Sequence, residues 1–196
     1  NAGSSSLGLI VEQEVLAWDD DLNSEFIILE YRVTNNSKDS KSDLNVSFFA
    51  DWDLDERLKN KSSWDEVNKL AYTYSHTESE YIGMAILTDQ VAKVHSIDLA
   101  NENGNTAEMS TAFSDELKYS FMNTEKTTAG QQGVGNNVAQ VLSGIIVDLN
   151  AYESEKVTFV ITGASSLEVL RENVLKAKAK YNEFVENPPI LNSIEV

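Results

Sequence analysis

The densest chemistry in this sequence is the acidic corner Asp51-Trp52-Asp53-Leu54-Asp55, followed downstream by Asp65 and Asn68. Carboxylate, amide and carbonyl oxygens are what a calcium ion gathers, roughly six to eight at a time. Asp51, Asp53, Asp65 and Asn68 are therefore the candidate calcium ligands, brought to one end of a sheet. The calcium-loop pattern with its Gly and distal Glu is missing, and acids in such runs also cap turns and face water. Paired carboxylates can cleave glycosides, with Asp51 and Asp53 or Asp19 to Asp21 as the pair. That chemistry needs one acid of raised pKa and a second across a sugar-sized gap. Neither is legible in a chain with 32 acidic residues.

Trp18, Trp52 and Trp64 each neighbour acids at the ends of expected strands. An aromatic face beside carboxylates can hold a sugar, and a Trp is equally a large core residue. Trp52 is in phase with Phe48 and belongs with the core, which leaves Trp18 and Trp64 as candidate ligand-binding residues. The two histidines, His76 and His95, are the only bases of the usual kind for a serine-type hydrolase. His76 lies in a polar turn and His95 in an alternating strand, outside any recognisable motif, and both read as structural. Without cysteine, disulfides, thiolate metal sites and cysteine nucleophiles are excluded. Gly130-Gln131-Gln132-Gly133-Val134-Gly135-Asn136-Asn137 reads as a flexible loop and lacks the Lys-Ser/Thr ending of a phosphate loop.

These residues have to be positioned by strands. Leu44, Val46, Phe48, Ala50 and Trp52 share one face of an extended segment that feeds the acidic corner. Ile27, Leu29, Tyr31 and Val33 alternate with Glu30, Arg32 and Thr34, which predicts a strand with one buried and one wet face. The polar stretch 35–43 between these two strands predicts an antiparallel pair. Further strands are expected over 7–18, 70–74, 81–87, 91–99, 138–149 and 156–162. The stretch 56–69 is a charged excursion and a candidate functional loop, and 101–105 a turn. A short helix is expected over 114–122. Ser165-Ser166-Leu167-Glu168 matches a capping box. The stripe Leu167, Leu170, Val174, Ala177, Tyr181 and Phe184 then marks a C-terminal helix that Asn187-Pro188-Pro189 ends.

At 196 residues, 41% hydrophobic and 24% charged, the chain fits one folded domain. Residues 1–6 read as a tag scar or linker, 7–164 as a β-sandwich, 165–187 as a helix packed on it, and 188–196 as a linker. A formal net charge of -17 disfavours nucleic acid and anionic lipid as partners. No apolar run approaches the ~20 residues that cross a bilayer, so membrane insertion is not expected.

The ordered segments Gly8-Leu9-Ile10-Val11-Glu12-Gln13, Glu25 to Asn35, Phe48-Phe49-Ala50-Asp51-Trp52-Asp53-Leu54, Trp64-Asp65 and Asn68 to Tyr72 carry a resemblance. Together with Phe159 to Leu167, they resemble the β-sandwich accessory region of secreted Bacteroidetes-type subtilisin-family peptidases. The chain is also similar to the supersandwich domains that precede catalytic helical barrels in some glycoside hydrolases. The resemblance implies that the catalytic groups lie elsewhere in the parent protein. No His-Gly-Thr, Gly-Thr-Ser-Met-Ala or Asp-Thr-Gly segment occurs here.

The expected fold is an all-β, antiparallel two-sheet sandwich closed by one C-terminal helix. The expected role is that of a non-catalytic accessory domain, secreted or at the cell surface. Its partners would be an upstream catalytic domain of the same chain and a glycan or protein substrate. The alternative is a carbohydrate-binding module using Trp18 and Trp64.

Overall fold

Phe26-Ile27-Ile28-Leu29 is apolar at consecutive positions, and a strand apolar on both faces needs a cover on both. The computed structural model of the chain, which describes residues 7–100 and 113–187, buries Phe26 and Ile28 on one face, covers Leu29 in part on the other and leaves Ile27 46% exposed. This strand, β2 (Phe26–Asn35), pairs with β1 (Leu9–Leu16) on one side. Its other neighbour is the penultimate element of the chain, β9 (Ser154–Ala164). β6 (Tyr81–Ile86), β5 (Leu70–Ser75) and β4 (Asn60–Asp65) complete a six-stranded sheet of order β1-β2-β9-β6-β5-β4. A second, three-stranded sheet has the order β3 (Lys41–Asp51), β8 (Asn137–Leu149), β7 (Val91–Ala100). Every strand pairing is antiparallel. The chain is thus an antiparallel two-sheet β-sandwich with a C-terminal helix, α2 (Leu167–Glu186).

Between the sheets lie Val33, Met84, Val157 and Phe159 against Val94, Leu142, Ile146 and Phe48. On the outer face of the larger sheet, Leu170, Val174, Ala177 and Tyr181 of α2 cover Phe26, Ile28, Leu70 and Val160. Gly83 makes that docking close: a Cβ there would stand 2.7 Å from Leu70 Cδ1 and 3.3 Å from Leu170 Cδ2. A short helix, α1 (Asp115–Asn123), covers part of the smaller sheet's outer face through Phe121 on Ile97, Ala139 and Val141. Both central strands, β8 and β9, are therefore covered on two faces, as their nearly unbroken apolar runs require.

Several expectations are corrected. β2 and β3 are not partners: the connection between them crosses from one sheet to the other, and β3 pairs with β8. The face of β2 that carries Glu30 is not wet, because α2 lies on it and leaves Glu30 4% exposed. Within the charged excursion, residues 60–65 form strand β4, whose Asn, Lys, Ser and Asp carry little β propensity but find a ladder on β5. The cap of α2 is Ser166, whose side chain accepts from Val169 N, rather than Ser165. The expected helix near 114–122 is α1, capped by Ser114. The expected turn at 101–105 and the segments 1–6 and 188–196 lie outside the described residues.

Residues 124–136 form a strap along one side of the sandwich. Lys126 exchanges backbone hydrogen bonds with β7 at Val94 and Ser96, while Ala129 and Asn136 bond β4 at Ser62 and Asn60. Gly130 is where the strap presses closest. Its φ is +71° and a Cβ would sit 2.3 Å from Asn60 O, so glycine is required there by conformation and by space. The glycine-rich stretch is thus anchored at its two ends, while Gln131 to Val134 between them are exposed.

Candidate functional site

β3 delivers Asp51 to the acidic corner at the end of its ladder, opposite Ala139. Trp52 turns inward against the inter-sheet core, in phase with Phe48. What folds the corner is Asn60, fully buried at the start of β4. Its Nδ2 donates to Leu54 O and Glu56 O, both at 2.9 Å, and its Oδ1 accepts from Leu54 N at 3.2 Å. Burial pushes the Asp51 carboxyl up, Asp53 adds to this, and Arg57 opposes it.

Asp65, at the end of β4, faces other partners. Its carboxylate accepts from Asn68 N at 3.2 Å, Asn68 Nδ2 at 2.9 Å and Arg171 Nε of α2 at 2.6 Å. Burial alone would raise this carboxyl, but the hydrogen bonds from Asn68 and Arg171 outweigh it and hold the group below its ordinary value. The side chain of Asp65 is 8% exposed. Asp65 and Asn68 form a turn clamp tied to the helix, while Asp51 and Asp53 belong to the corner. Among the described residues no three His, Asp or Glu side chains gather into a group that could hold a metal ion. The Asn68 amide turns a donor toward Asp65 and Arg171 supplies a neutralising charge, so the Asp65 carboxylate is met by the chain's own groups.

The tryptophans separate as well. Trp18 is half-buried on the helix-facing side, 5.7 Å from the Phe26 ring, with Lys180 Nζ 5.7 Å above its own ring. Trp64 is half-buried on the opposite face of the same sheet, at the margin of the inter-sheet core. They cannot line one platform. Besides the Phe49, Phe113 and Phe121 cluster, the structure assembles a group of tyrosines. Tyr74 of β5 and Tyr81 of β6 are cross-strand partners with rings 5.7 Å apart and 14° from parallel. Tyr72 lies 6.0 and 6.4 Å from them. Burial raises both the Tyr74 and Tyr81 phenols, with Glu78 adding to each.

Other strongly engaged groups escaped the sequence reading. Under α2, Tyr181 donates to Glu30 Oε2 at 2.6 Å and accepts from Thr158 at 2.9 Å, while Lys156 Nζ lies 2.7 Å from Glu30 Oε1. Burial first, then Glu30, pushes the Tyr181 phenol up to about 12, so it stays a donor throughout the physiological range. Asp98 of β7 accepts from Asn136 at 2.6 Å, Gly130 N at 2.8 Å and Lys126 at 3.0 Å. Burial raises its carboxyl, and these bonds, led by Asn136, bring it below the ordinary value. The signal for Glu30 was available: it follows Phe26 and Ile28 on the same face of its strand. Nothing local in the sequence marks Asp98, whose partners come from a distant segment.

Of the histidines, His95 stacks on Phe121 at 4.6 Å, and its Nδ1 lies 2.9 Å from Thr124 Oγ1. That hydroxyl donates to Ser120 O at 2.7 Å, which leaves Nδ1–H as the donor of the pair. His95 thus braces the end of α1. His76 is half-buried in the turn that follows β5. No protein-family model matches the chain, and no curated protein matches it.

Proposed function

We propose that this chain is a non-catalytic accessory domain of a secreted or surface-held subtilisin-type serine peptidase. It supports a catalytic domain of the same protein and that domain's engagement of substrate. The observation that carries the reading is the use of the acids that the fold buries wholly or in part. Glu30, Asp65 and Asp98 are each bound by cationic and amide or hydroxyl donors from other parts of the chain. Each acts as a strut: Glu30 and Asp65 hold α2, and Asp98 holds the strap. A general acid or base needs a reachable proton and a pKa near the working pH, whereas Asp65 and Asp98 are held below their ordinary values. The ordered segments that resemble the peptidase-associated region support the association itself.

The purified chain tests the non-catalytic part of this reading. Incubated with casein and with a panel of nitrophenyl glycosides, it is expected to release no product above buffer. Turnover that survives repeated purification and disappears in one carboxylate variant would overturn it.

Carbohydrate binding is the second reading, and its best support has moved from Trp18 and Trp64 to the near-parallel Tyr74 and Tyr81. Stacked phenols with the Gln131 side chain close by offer an apolar face with a polar edge. A glycan array separates the two readings: binding that Tyr74→Ala and Tyr81→Ala abolish favours the module, and an empty array favours the accessory domain.

A further inference from the structure

The two sides of the sandwich end differently. On one side the strap lies along the edges of β7 and β4 and bonds their backbones. On the other, β1 is the outermost strand of the larger sheet. Among the described residues, the outer edge of its eight residues has no backbone partner. An unpaired edge of this length is a template for another strand.

The side chains of β1 define what kind of strand fits. Val11 and Val15 stand in register with Val33 and Leu29, on the side that faces the smaller sheet. That sheet is three strands wide against six, so β1 overhangs it, and Val11 and Val15 remain 59% and 55% exposed. Glu12 and Glu14 take the opposite face, over a groove of about 310 Å³ lined also by Gln13, Glu30 and Arg32. Lys156 and Arg32 both lie against Glu30, at 2.7 and 4.0 Å, so two cations face the three carboxylates Glu12, Glu14 and Glu30 and this face of β1 stays net negative.

The charge pattern also decides between occupants. A second copy paired antiparallel about Gln13 would set Val11 against Val15, but would also place Glu12 against Glu14 in like-charge pairs, which are destabilising. A strand that carries lysine or arginine where those glutamates sit reverses the sign of that contribution. Its aliphatic residues would meanwhile cover the two valines.

We propose that the free edge of β1 is a docking site for an extended peptide segment of alternating aliphatic and basic residues, added as a further strand of the larger sheet. The site stands independently of the peptidase reading, since it rests only on the edge, the two valines and the two glutamates.

The probe is the acetylated and amidated peptide Lys-Val-Lys-Thr-Lys-Val-Lys, whose valines share the spacing of Val11 and Val15. Added to the isotope-labelled chain, it is expected to shift amide resonances of β1 and its neighbour β2 and to leave those of β4 and β7 in place. Glu12→Gln/Glu14→Gln should weaken binding by about tenfold, and Glu12→Lys/Glu14→Lys further. Circular dichroism checks that each variant is folded. The same peptide N-methylated at alternate residues keeps its charge and side chains but loses ladder donors, and should not bind. Equal affinity of the N-methylated peptide, or shifts spread over the acidic surface, would overturn strand addition in favour of charge attraction alone. Dimerisation of the chain through β1 in the ultracentrifuge would overturn the choice of occupant, and no shift at millimolar peptide would overturn the site.

Discussion

The pair Glu30 and Tyr181 shows how individual residues of this chain are committed to structure. A buried carboxylate is costly unless it is paired and hydrogen-bonded, and Glu30 is both, with Lys156 and Tyr181 as partners. Tyr181→Phe preserves the ring packing on α2 but removes one donor from Glu30 and leaves Thr158 without its acceptor. A loss of about 1–3 kcal/mol in urea unfolding is expected. Asp65 and Asp98 set the acid limb. Their folded pKa values lie below the unfolded ones, so their stabilisation is complete above the ordinary carboxylate pKa of about 4 and is lost as pH falls through the folded values. Asp65→Asn should therefore lower stability at pH 7, by a margin that shrinks as pH falls below about 4, measured by unfolding across the acid range. Because Arg171 and Asn68 occupy Asp65, excess chelator is expected to leave the melting temperature unchanged; a fall would restore a structural ion to the account.

At the scale of elements, alternation and capping carried most of the fold. β2, β3, β8, β9 and the apolar stripe of α2 are legible because each buries a periodic face. β4 is not, since Asn60, Ser62 and Ser63 acquire strand conformation only from β5 and from the strap on their other side. The consecutive apolar residues 26–29 imply two covers for β2, whereas the alternation from Glu30 to Thr34 marks one buried face only. Partner choice between β2 and β3 was illegible because a polar connection of that length can close a hairpin or change sheets. Two substitutions test the packing. Gly130→Ala forces a positive φ and a clash with Asn60 O, and should cost about 1–3 kcal/mol. Leu170→Ala removes a fully buried side chain between α2 and the larger sheet, and should cost about 2–5 kcal/mol.

For the whole molecule, the candidate site was less legible than the fold. Carboxylates are abundant in a chain of net charge -17, so their clustering in sequence says little about clustering in space. The structure distributes them: Asp51 and Asp53 at a corner over Asn60, Asp65 bonded to the helix, Asp98 bonded to the strap and Glu30 beneath Tyr181. These placements support a scaffold that holds its layers together with hydrogen-bonded acids and, among the described residues, leaves the outer edge of β1 without a backbone partner. No helix among the described residues is long and apolar enough to cross a membrane. The central claim, an accessory domain attached to a peptidase, is tested most directly by sequencing the coding region contiguous with this chain. The account predicts a subtilisin-type catalytic domain in the same frame on the N-terminal side, with His-Gly-Thr and Gly-Thr-Ser-Met-Ala segments. A frame that holds no peptidase domain would contradict it.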